Sequence, residues 1–169
     1  MARSRSTRRL RRFRDVGHAR RALLIEALAW LLLTRLALAF VPFPRLARRL
    51  GTFVAPNDVR ATRTIASGKP SQALIAEQVG WAVTRAARHA PFRAVCLPQA
   101  MAARIMLKRR GVSSVLHFGA GCASRTLKPI NAHAWLDAAG VEVIGYPEAK
   151  NMAAIACFIG PSMADHWTE

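Results

Sequence analysis

Two side chains in this 169-residue chain have the chemistry of a nucleophile and its base: Cys96, placed where a helix begins, and His133, in the string NAHAWLD. A thiol is a useful nucleophile when its thiolate is favoured. A helix N-terminus favours it by aiming unpaired N–H groups and a partial positive charge at the sulfur. The same amides can hold an oxyanion, so one element would both activate the nucleophile and stabilise a tetrahedral intermediate. His133 would take the thiol proton and later return it to the departing amine. An isolated cysteine is more often a buried, inert side chain, and the pairing with His133 is what raises Cys96 above that reading.

The remaining histidines and cysteines fit the role less well. His117 lies mid-strand as an ordinary partly buried residue, His89 ends a helix where a cation is welcome, and His18 and His166 lie near the termini. Cys122 in a glycine-rich turn and Cys157 in the apolar stretch 152–159 read as structural. Three cysteines without a C-x-x-C spacing argue against a disulfide framework and a zinc site, and point to a reducing cytoplasm. No metal or directly bound cofactor is expected. The string ASGKPS lacks the earlier glycine of a phosphate-binding loop, since Arg63 stands there, so no nucleotide site is assigned.

The elements that must position these groups follow from periodicity. Residues 1–21 read as a basic flexible arm. Leu23, Leu24, Ala27, Leu28, Trp30, Leu31 and Leu38 then form a broad apolar helix face that Pro42 and Pro44 terminate. Arg45 to Leu50 is a short basic helix stopped by Gly51, and 52–70, with Pro56, Asn57, Gly68 and Pro70, reads as a linker. Ser71 caps a helix with Leu74, Ile75, Val79, Ala82, Val83 and Ala86 at helical spacing, closed by Pro91. Cys96 opens the next helix, with Pro98 tolerated in its first turn and Gly111 at its C-terminal cap. From Ser113 the pattern shifts to strands: Val115 to Phe118, Ala132 to Leu136 and Val141 to Tyr146, the last two joined as a hairpin. Three segments result: the arm 1–21, a helical N-terminal region and linker 22–70, and a catalytic domain 71–169.

The chain carries 26 Lys+Arg against 9 Asp+Glu, a formal charge of +17. Nine arginines fall in the first 21 residues, so the excess is largely a property of the arm. Such an arm attracts polyanions through salt-screened forces, but no nucleic-acid-binding motif follows it, and specific nucleic-acid recognition is not expected. Glu26 and Arg35 interrupt the apolar run after residue 22, leaving an uncharged stretch short of the ~20 residues of a bilayer span. Peripheral membrane contact by this helix and its basic flank stays an alternative to a purely cytoplasmic location.

A helix-borne Cys followed by a strand-borne His is the order of papain-like and transglutaminase-like enzymes. Beyond that order, VGWAVTRAARHAPFRAVCLPQAMAARIMLKRRGVSSVLHFGAG with NAHAWLDAAGVEVIGYPE closely resembles the leader peptidases of lasso-peptide biosynthesis, the B-protein family with a transglutaminase-like peptidase domain. The similarity runs over about residues 71–160, and LARRLG resembles that family's N-terminal region. It implies an α+β fold with a papain/transglutaminase-like core, a helical N-terminal extension and a small antiparallel sheet. It further implies cleavage of a ribosomal precursor peptide after its leader, before an ATP-using cyclase closes the core. Cys96 and His133 fall on the family's nucleophile and base positions.

No winged-helix leader-binding module is visible in 1–70, so the resemblance implies a separate leader-recognition protein as a partner beside the lasso cyclase and the precursor peptide. The sequence departs from the family at the third catalytic position, where Gly145 replaces an acid. Asp137 shares the face of His133 but sits four residues along the strand, roughly 13 Å away. Glu148 reaches back only if the chain turns at Pro147, and a backbone carbonyl orienting the imidazole is the third option. Two other functions remain open: a different transglutaminase-like acyltransferase, and a non-catalytic scaffold presenting the leader to other enzymes.

Overall fold

The computed structural model describes residues 3–121 and 131–160, with side chains from Gly17 onward except Asn131. In chain order the elements are α1 (Arg3–Phe40), α2 (Phe43–Ala47), β1 (Thr52–Val54), α3 (Val59–Ala66), α4 (Pro70–His89), α5 (Cys96–Lys108), β2 (Val115–Gly121), β3 (Asn131–Ala138), β4 (Val141–Ile144), a 3-10 turn (Glu148–Asn151) and β5 (Ala153–Ile159). This is an α+β architecture: one antiparallel five-stranded sheet, ordered β1-β5-β2-β3-β4, with helices over it.

Side chains alternate across the strands, and the alternation sorts them into two layers. On one face Leu116, Leu136 and Phe158 bury against Val79 and Val83 of α4, Met106 and Leu107 of α5, and Leu31 of α1. Full burial of each such side chain contributes about 1.5–3 kcal/mol, so this layer is the main source of stability. On the other face Val115 and Cys157 join Val54 and Ala61 in a smaller core under α3.

Local chemistry explains most boundaries. Gly111 takes a left-handed conformation (φ +68°) just past α5, and the Val112 amide donates to Leu107 O. Ala139 and Gly140, both at positive φ, make the two-residue turn between β3 and β4. Helix α4 starts one residue before the expected Ser71 cap: Pro70 occupies the first turn and Gln72 Oε1 accepts from the Lys69 amide at 2.9 Å.

Two expectations differ from the structure. Residues 52–70, read as a linker, supply edge strand β1 and helix α3, the latter capped by Asp58. Three residues are too few to display a period of two, which hides β1. Helix α1 begins at Arg3 and so takes in most of the stretch read as an arm.

Helix α1 runs antiparallel to α5, because Glu26 pairs with Arg110 while Thr34 Oγ1 donates to Pro98 O at 3.2 Å. The Arg110 guanidinium, bonded to Glu26, holds that carboxyl below its ordinary value of 4.5. The folded pKa is the lower one, so the pair's contribution is complete above pH 4.5 and fades as pH falls through the depressed value.

Candidate active site

Cys96 is the first residue of α5 and is partly exposed. The chain enters extended at Val95, and Gln99 Nε2 donates back to Ala94 O at 2.6 Å, bracing the approach to the helix. The Gln99 amide already donates to Val95 O. Pro98 has no N–H. The amides of Cys96 and Leu97 therefore sit at the sulfur's end of the helix without an intrahelical acceptor, the arrangement an oxyanion requires.

His133 lies on β3 opposite Gly119 of β2. Its Nε2 is 2.8 Å from Gly145 O. A carbonyl only accepts, so Nε2 carries the proton, and in the neutral ring Nδ1 keeps the lone pair that a base needs.

A simple hairpin pairs Asp137 with Val141 and sets Gly145 against His133. The observed ladder pairs Asp137 with Glu142 and Leu136 with Ile144 across a bulge, which carries Gly145 alongside Trp135. Gly145 has φ +93°, and a Cβ there would lie 2.6 Å from Trp135 Cβ and 2.9 Å from Ala134 O. The position that holds an acid in the resembled family cannot hold one here without displacing Trp135, and the backbone oxygen meets the imidazole in its place.

Connectivity puts Cys96 and His133 toward one end of the sheet but on different faces. Helix α5 packs on the face of Leu116, Leu136 and Phe158, whereas His133 alternates onto the opposite face with Trp135, Asp137 and His117, so the structure does not bring the two groups into contact. The second half of α5 is tied to the far end, where Arg104 Nη1 donates to Phe158 O at 2.8 Å and Phe158 pairs with Leu116. The helix packs on β3 and β4. Phe43, just past the end of α1 that adjoins the start of α5, meets Phe118 edge-on at 6.1 Å, one residue from Gly119. No hydrogen bond joins Cys96 Sγ to the imidazole. His133 shares its face of β3 with Trp135, whose ring lies 6.2 Å from its own.

Neither candidate acid reaches His133. Glu148 is exposed in the 3-10 turn. Asp137 serves a second polar cluster that the sequence did not disclose: Cys157 Sγ lies 3.1 Å from His117 Nδ1, His117 Nε2 lies 3.1 Å from Asp137 Oδ2, and Tyr146 OH donates to Asp137 Oδ1 at 2.7 Å. The His117–Asp137 approach has an ion-pair distance without hydrogen-bond alignment, which leaves Nε2 with no directed partner. The His117 ring stacks on Trp135 at 5.3 Å. Register alone explains the cluster, since Cys157 faces His117 across β5–β2 and Asp137 stands two residues past the Trp135 that pairs with His117.

Cys157 is wholly buried, and desolvation pushes its thiol pKa up, with the Asp137 charge adding to the effect. Burial, with the Asp137 hydrogen bond second, also raises the Tyr146 phenol. Burial closes this cluster to reagents from solvent, with Cys157 fully buried and His117 nearly so. Iodoacetamide should therefore label Cys96 in the native protein and spare Cys157 until the chain is unfolded, as read by peptide mass mapping; equal native labelling of the two would contradict the assignment. Asp137→Ala removes the acceptor of the half-buried Tyr146 hydroxyl and the carboxylate beside buried His117, and should cost about 1–3 kcal/mol in urea denaturation.

His89 is exposed at the end of α4, and His18 lies on α1. Cys122 and His166 fall outside the described residues. A cavity of about 490 Å³ lies between α1, α2 and the second half of α5, and neither Cys96 nor His133 lines it. Among the described residues no group of three or more His, Cys, Asp or Glu side chains is arranged to hold a metal ion.

A helix-borne Cys96 followed by a strand-borne His133 on an α+β scaffold is the element order of a transglutaminase-like domain. The family model for the transglutaminase-like superfamily matches residues 37–156, and the chain belongs to that superfamily. The match takes in α2, β1 and α3 as well as residues 71–156. Cysteine peptidases and acyltransferases are both common in the superfamily. No curated protein and no solved structure matches the chain.

Proposed function

We propose that this protein is a cysteine peptidase that removes the leader from a ribosomally made lasso-peptide precursor, with Cys96 as nucleophile and His133 as base. The fold supports an acyl-transfer reaction, and the resemblance of CLPQA…RRG with AHAW to lasso leader peptidases selects the substrate. The observation that carries the chemistry is the 2.8 Å contact from His133 Nε2 to Gly145 O, which leaves Nδ1 as the ring's acceptor.

In this reading substrate binding draws the tip of α5 and the start of β3 together, and the Cys96 thiol gives its proton to His133 Nδ1 as the sulfur attacks the scissile carbonyl carbon. The Cys96 and Leu97 amides hold the oxyanion. The intermediate collapses to a thioester as the imidazolium protonates the departing amine. Water then gives a proton to His133, attacks the thioester and restores the thiol. Gly145 O orients the ring through both steps, so the centre works as a dyad with a backbone third member.

The precursor is presented by a separate leader-binding protein and passed to a cyclase. Incubation of the protein with precursor and leader-binding protein, followed by mass spectrometry, should yield two fragments whose masses sum to the precursor plus one water. A crosslinked or mass-gained product would instead establish a transferase. Processing that survives Cys96→Ala would establish a scaffold.

A further inference from the structure

Helix α1 is apolar on two opposite faces. The inner stripe, with Ala27, Leu31 and Thr34 buried, packs against α4 and α5. The outer stripe, Ile25, Leu28, Leu32, Leu36 and Phe40, recurs at spacings of three and four over about 22 Å, and its members are 41–80 % exposed. A helix apolar all round is ordinarily covered all round. Nothing in the chain's described residues covers this one.

The surroundings of the stripe are cationic. Arg20 and Arg21 stand at one end, and Arg45, Arg48 and Arg49 follow exposed Phe43 at the other. Along one flank a groove of about 290 Å³ brings Arg85 and His89 beside Leu24, Ile25 and Leu28. Along the other, Arg109 lies over the Trp30 ring at 5.9 Å. The helix's acid in this region, Glu26, is already neutralised by Arg110 and Arg109.

We propose that the outer face of α1 docks on the surface of an anionic phospholipid bilayer, with the helix lying in the headgroup region and the flanking arginines on lipid phosphates. An apolar stripe rimmed by long cationic side chains is the chemistry of interfacial helices, whose stems cover hydrocarbon while their heads meet anionic headgroups. Although Glu26 and Arg35 interrupt it, the stretch Gly17–Phe40 is long and apolar enough in its mean hydropathy to cross a bilayer. Spanning would strip Leu31 and Thr34 from their partners and tear Glu26 from Arg110, whereas lying flat preserves the fold. A second copy is disfavoured by the +17 charge that each chain carries. The proposal is independent of the peptidase reading, since it uses none of the residues at Cys96 or His133.

The test is flotation of the full chain with vesicles of phosphatidylglycerol and phosphatidylcholine, or of phosphatidylcholine alone, alongside sedimentation velocity without lipid. The expected result is binding to anionic vesicles that weakens at least tenfold in pure phosphatidylcholine or in 0.5 M salt, as counterions screen the rim (about 4 Å Debye length). Leu32→Ser/Leu36→Ser should abolish that binding while the circular dichroism spectrum stays native. Ile25→Ser/Phe40→Ser repeats the test at the stripe's ends should the first variant fold poorly. Binding undiminished in both variants would reduce the effect to adsorption by charge and overturn the proposal. Failure to float with a lipid-free dimer that dissociates in the variants would overturn it as well, and assign the face to self-association.

Discussion

Replacing Cys96 by alanine should lower precursor cleavage about ten-thousand-fold, to the level of the peptide alone, with the thermal melt unchanged to within about 1 °C. The side chain is partly exposed at the first position of α5, so its loss opens no cavity in the core. What disappears is the atom that forms the thioester. His133→Ala should cost about a thousandfold, less than the nucleophile, because a thiol retains some reactivity without its base. The assay is the two-fragment mass readout with precursor and leader-binding protein. Equal activity of Cys96→Ala and wild type would remove covalent catalysis from the account altogether.

The second large effect concerns a residue with no side chain. Gly145→Asp restores the acid of the resembled family, yet it should destabilise the protein by about 3 kcal/mol and lower the midpoint of thermal unfolding by about 6–12 °C. A left-handed φ of +93° strains any residue with a Cβ, and that Cβ would stand 2.6 Å from Trp135 Cβ. Moving Trp135 also disturbs the His117 ring stacked on it and the His133 ring beside it. Cleavage should fall with stability instead of rising. A Gly145→Asp protein that is stable and more active would mean that a carboxylate fits beside His133, and that the carbonyl is not what holds the ring. The milder Gly145→Ala separates the two costs, since it adds the Cβ without the charge.

How far the chain could be read beforehand depends on the element. The helices from 70 to 108 were legible because alanine, leucine and valine recur at helical spacing between proline and glycine stops, and their observed bounds fall within a few residues of that pattern. The β3–β4 hairpin was legible from the Ala-Ala-Gly turn, but its bulge was not, because a bulge is set by how Trp135 and Gly145 pack and not by composition. Strand β5 was seen only as an apolar stretch: AAIACFI is rich in alanine, which carries no strand preference, and it becomes a strand by inserting between β1 and β2.

The candidate site divides in the same way. Cys96 at a helix start and His133 on a strand were readable from residue type and local pattern. The Gly145 carbonyl was readable only as one option among three, because backbone acceptors leave no mark in sequence. The Cys157–His117–Asp137–Tyr146 cluster joins β5, β2, β3 and the chain after β4, so no local window contains it. What could have hinted at it is spacing on β3 alone: His133, Trp135 and Asp137 alternate on one face, and a largely covered acid on that face needed a partner across the ladder.

The central claim is that the Cys96 thiol reacts through the His133 imidazole, and the rate of iodoacetamide alkylation of Cys96 at neutral pH measures that coupling without any substrate. The account predicts that His133→Ala slows alkylation at least tenfold while Asn or Gln in place of His117 leaves it unchanged. Equal rates in wild type and His133→Ala would contradict it, because a thiol indifferent to its base cannot be the nucleophile described here.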